Sequence, residues 1–195
     1  MIWWCKARAV PVLLAVLAGT FAAGLLFGDG ELPALSTHGQ AGHFLVAHVI
    51  TLLPAVFLLH GLGRGDLRTE TVAGRSLRVL DVGLALALAA TGATCGSLAY
   101  AAGQGALALV LARNIAGYLG LALLLRPVAG HRPAAAVLAA VPLLCSAAGR
   151  HPDGRPQPWA WPLHPADSPY ALTAVALLLL AGPACTLLRS PPPTT

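Results

Sequence analysis

The sequence predicts an all-α fold, a polytopic transmembrane helical bundle of about six spans with both termini cytoplasmic. Three observations predict it. Apolar residues make up 57% of the 195 residues and charged ones only 10%, with a mean hydropathy of +0.75, whereas a water-facing domain carries about 25% charge. The apolar residues gather into six runs close to the ~20 residues that cross a bilayer. The basic residues fall in alternate gaps between those runs.

The runs cover residues 9–28, 45–63, 79–100, 105–125, 134–149 and 169–188. Lys6 and Arg8 precede the first as they would precede a secretory signal, but its length is that of a spanning helix. The gap 29–43 is polar, with Pro33 and the glycines Gly30, Gly39 and Gly42. The gap 63–78 is the most polar, 126–133 reads as a tight basic turn, and 150–168 is rich in proline and holds Trp159 and Trp161. Residues 1–189 form one six-span domain, and the tail 190–195, with three consecutive prolines, is expected to be disordered.

Orientation follows from the segregation of basic side chains. Lys6, Arg8, Arg64, Arg68, Arg75, Arg78, Arg126, Arg132 and Arg189 share one side, while Arg150 and Arg155 fall opposite. That split directs both ends to the cytoplasm of a cell-membrane protein. Trp159, Trp161 and Tyr170 are then expected as anchors in the outer interface, and Trp3 and Trp4 in the inner one. Within the spans, Gly92 and Gly96 form a GxxxG that marks a helix contact, inside the bundle or in a dimer. Pro54, Pro142 and Pro183 can kink their spans.

Catalytic machinery is not visible. The chain has no GxSxG elbow, no HExxH and no Walker A lysine, and no nucleophile beside a base. It is expected to be no enzyme, with no catalytic residue, no metal and no cofactor, and it carries no patterned basic and aromatic surface for nucleic acid. His38 and His43 in the first outer gap, and His151 and His164 in the last, match no ligand spacing. Cys5, Cys95, Cys145 and Cys185 read as small apolar residues, although a Cys95–Cys145 disulfide near the outer face is conceivable.

Two places carry polar chemistry. Arg113 and Asn114 lie in the fourth run. An arginine well inside a bilayer costs about 2.5–3.5 kcal/mol on insertion scales and needs a partner. The only carboxylate in a run is Asp81, at the far membrane face, so Arg113 must meet carbonyls, the outer loops or another chain. Two readings stand side by side. Arg113 and Asn114 serve a pathway or a subunit contact, or the span begins only near Arg113 after a short surface helix. The second place is the gap 63–80, where Arg64, Arg68, Arg75 and Arg78 share a face if the segment is helical, with Asp66 and Glu70 among them. Such a helix suits a partner protein; a solvated loop touching anionic lipid is the plainer alternative.

With its six spans, the stretch "LRTETVAGRSLRVLD" between the second and third, and "LARNIAGYLGLALLLRPVAG" in the fourth, the chain resembles the membrane subunits of ABC-2 type exporters, especially the small Ala- and Leu-rich permeases of actinobacteria. The outer "WAWPLHP" is similar too. The resemblance implies a permease subunit that forms the path with a second permease copy or subunit, driven by a separate ABC ATPase. By it, Glu70, Arg75 and Arg78 fall in the coupling loop to the ATPase, and Arg113 and Asn114 near the pathway or dimer contact. The alternatives are a non-transporting membrane scaffold or assembly protein, and a small membrane metal or redox protein.

Overall fold

A computed structural model describes residues 2–32, 44–63 and 77–188. The architecture is all-helical, and six stretches of 18 to 25 residues are long and apolar enough to cross a membrane. That is the construction of a multi-pass membrane protein. Large apolar side chains such as Leu26, Leu98, Leu143, Leu177 and Leu180 point outward. Such a surface would drive aggregation in water and is at home in lipid.

A short helix α1 (Ile2–Ala7) leads into the first span, α2 (Val10–Phe27). The two are separated at Ala9, whose φ of 50° is left-handed. The second span is divided into α3 (Val46–Ile50) and α4 (Leu53–Gly63). Pro54 has no N–H for the helical bond, so the break falls there. Thr51 Oγ1 bonds the carbonyl of Ala47 at 3.0 Å just before it. The remaining spans are α5 (Leu77–Ala101), α6 (Leu107–Ala129), α7 (His131–Ala148) and α8 (Pro169–Leu188). The ends of the first connection approach each other through a two-residue antiparallel pair, Glu31–Leu32 with Phe44–Leu45.

Helix α6 is the axis of the bundle. Buried residues make up 72% of its span window, against 22 to 56% for the other five. Its main neighbours are α5 and α8, and small residues bring the backbones together. A Cβ on Gly96 of α5 would lie 2.5 Å from that of Ala112, and one on Gly120 of α6 would lie 2.8 Å from the backbone of Leu178 in α8. Gly92 faces Ile115, Phe21 and Leu17. The GxxxG therefore marks a contact within the bundle.

The turn expected at residues 126–133 is shorter in the structure. Helix α6 continues through Pro127 to Ala129, and α7 starts at His131. Pro127 leaves the carbonyl of Leu123, four residues back, without its helical donor. Thr186 Oγ1 of α8 donates to that carbonyl at 2.8 Å, which is how a spanning helix carries a proline.

Candidate functional site: two guanidinium clasps on the central helix

Helix α6 holds a guanidinium group near each end. At the end where α2 and α5 begin, Arg126 meets Asp81 and Arg8. Arg8 Nε donates to Asp81 Oδ1 at 3.0 Å, Arg8 Nη2 to Oδ2 at 3.1 Å, and Arg126 Nη1 to Oδ2 at 3.1 Å. Arg8 and Asp81 are each 2% exposed and Arg126 22%. Arg8 Nη1 and Arg126 Nη2 also donate to the carbonyl of Leu62 at 3.0 and 3.4 Å. The cluster therefore joins the α1–α2 junction, α4, α5 and α6 at one point. A close approach permits it, since a Cβ on Gly61 would lie 2.7 Å from the backbone oxygen of Arg8.

At the other end the connection between α7 and α8 folds into the bundle as a cap. Gly149 O accepts from Gln157 N at 2.8 Å and Arg155 O from His151 N at 2.9 Å, which closes a hairpin. A 3-10 turn, Trp161–Leu163, follows and is buried. Trp161 was expected beside Trp159 as an interface anchor. It is only 6% exposed, whereas Trp159 is 47% exposed. The Trp161 ring reaches the spot where Gly117 has no side chain and meets Tyr118 edge-on, with centroids 4.9 Å apart. Leu163 and Ala160 cover the buried Cys145.

Arg113 and Asn114 hold this cap. Arg113 lies in the second turn of α6, so the span begins before it, at Leu107. Arg113 Nη2 donates to His164 O at 2.7 Å and Trp161 O at 3.3 Å, and Nη1 donates to Pro165 O. Asn114 Nδ2 donates to Pro162 O at 3.3 Å, and its Oδ1 accepts from Arg113 Nε and Nη2 at 3.4 and 3.3 Å. Every hydrogen-bond partner of Arg113 is neutral: three backbone carbonyls and the Asn114 amide oxygen. Arg113 is 6% exposed.

The shape of the cap is stapled by His164. Its Nε2 lies 3.0 Å from Gln157 O. A carbonyl can only accept, so Nε2 carries the hydrogen, and Nδ1 pairs with the Ser168 hydroxyl at 2.9 Å. This closes residues 157–168 into a loop whose carbonyls turn toward Arg113.

Glu70 and Arg75 lie outside the described residues, and Arg78 sits half-buried in the first turn of α5. All four cysteines are free, with Cys95 exposed on α5 and Cys145 beneath the cap. Among the described residues no three His, Cys, Asp or Glu side chains group as metal ligands. Compared with known proteins, the chain matches no family model, no curated protein and no solved structure.

Proposed function

We propose that this chain is the membrane-spanning permease subunit of an ABC-type exporter in the plasma membrane, working with a second permease subunit and a separate ATPase. One observation carries the reading: the most buried helix is gripped at both ends by different parts of the chain. The carbonyl of Leu62, which takes two arginine donors, is two residues from the start of the loop 64–76. Asp81 follows that loop by five residues. A partner pressing on the loop from the cytoplasm thus acts directly on Arg126 and the end of α6. The far end of α6 holds the outer cap through Arg113. Each end of α6 is thus held by side-chain hydrogen bonds, and rocking of α6 would exchange one clasp for the other, as alternating access requires.

Further support comes from the likeness of the loop and fourth span to ABC-2 subunits. The chain has no nucleotide-binding loop of its own, so the energy comes from the partner.

The test is copurification. The tagged chain is expected to retain an ATPase subunit from gently solubilised membranes, and the double variant Arg75→Glu, Arg78→Glu to lose it. A complex that survives this charge reversal removes the coupling role of the loop. An absent ATPase favours the non-transporting scaffold instead.

A further inference from the structure

Arg113 is a buried cation whose hydrogen-bond partners are all neutral. Carbonyl dipoles satisfy the guanidinium geometry but leave its charge uncompensated, whereas a carboxylate or phosphate can take two parallel bonds and cancel the charge. The fork of five donors fits such anions better than any other group. The carbonyls that occupy it belong to one segment of the chain, the cap of residues 157–168.

We propose that Arg113 and Asn114 form the receptor site for the anionic head group of an amphiphile, with the cap carbonyls standing in for that head group in the closed state. When the cap lifts, it uncovers a guanidinium and an amide side by side. It also bares an aromatic and small-residue floor made by Tyr118 and Gly117, now covered by Trp161. An acyl or alkyl chain lies along the Ala- and Leu-rich spans while the carboxylate or phosphate takes the donors. The site deepens the permease reading by naming the class of its cargo, and it rests on that reading for the direction of movement.

Cys145 is a built-in reporter, because Ala160 and Leu163 of the cap segment seal it. A variant carrying Cys5→Ala, Cys95→Ala and Cys185→Ala is reconstituted in phosphatidylcholine nanodiscs, and labelling of Cys145 by a water-soluble maleimide is timed. Oleate and dodecyl phosphate are expected to speed labelling at least tenfold, and methyl oleate to leave it unchanged. Arg113→Gln is expected to abolish the difference between oleate and its ester. So is Asn114→Asp, a nearly isosteric change that sets an internal carboxylate where the guanidinium already meets Oδ1. A response to one anion only identifies the head group. Equal effects of oleate and methyl oleate, or a full oleate response in Asn114→Asp, overturn the proposal. ATPase copurification from the same membranes keeps the two ideas apart: an intact complex without an oleate effect removes the head-group site alone.

Discussion

Replacing Asp81 with Asn removes the negative charge that Arg8 and Arg126 share while preserving the shape of the side chain. Three donors converge on this carboxylate at 3.0 to 3.1 Å. A hydrogen bond to a charged group contributes about 1.5–3 kcal/mol and a neutral one about 1. Asn turns one carboxylate oxygen into an NH2 that cannot accept and leaves both guanidiniums without their counter-charge, so the loss is about 3 kcal/mol, the lower end of the ~3–5 kcal/mol found when one partner of a buried pair is removed. That is a shift of about 150-fold in the folded-to-unfolded ratio. The assay is reversible unfolding in mixed micelles of rising dodecyl sulfate fraction, followed by tryptophan emission. Arg126→Gln should cost less, because Arg126 is partly exposed and better solvated. The double variant Arg8→Gln, Asp81→Asn should lose less than the sum of its parts, by about 1–3 kcal/mol. A loss below about 1 kcal/mol for Asp81→Asn would mean that water reaches the cluster, and the account of a buried clasp would fail.

Three further outcomes are expected. Gly120→Leu drives a side chain into the backbone of Leu178, so α8 should separate from α6 and the protein should lose its single monodisperse form on size exclusion. Thr186→Val withdraws the donor to the Leu123 carbonyl and should cost about 1 kcal/mol in the same unfolding assay, near the range of side-chain hydrogen bonds in membrane bundles. Ala9→Gly relieves a left-handed alanine and should stabilise the protein by about 1 kcal/mol; a destabilised variant would show that Ala9 is not held in that conformation.

The bundle was legible in the sequence because lipid imposes it. A bilayer demands ~20 apolar residues per span, and the last span, 169–188, has the bounds of its apolar run. The end of α6 was not legible, because Pro127 reads locally as a stop while the donor that repairs it is Thr186, 63 residues away from Leu123. Arg113 announced that it needed carbonyls or an outer loop, and its partners lie 48 to 52 residues along the chain. Which carbonyls they are depends on the fold of the cap, and periodicity carries no information on that. Trp161 was misread as an anchor because an interfacial tryptophan and a plug tryptophan look alike in composition. The Arg8–Asp81–Arg126 cluster was missed for a different reason. Arg8 and Arg126 satisfy the charge rule on their own, so the charge pattern calls for no partner at either. The available signal was Asp81 itself, a carboxylate at the membrane face where the basic residues gather.

The claim on which the rest depends is that the two clasps of α6 face opposite sides of the membrane. Epitope tags at the N-terminus, at the C-terminus and beside Asp153 in the cap hairpin, probed with antibody in intact and permeabilised cells, test it directly. The account predicts that only the Asp153 tag is reached in intact cells and that all three are reached after permeabilisation. A terminal tag reached from outside, or an Asp153 tag hidden until permeabilisation, would contradict it.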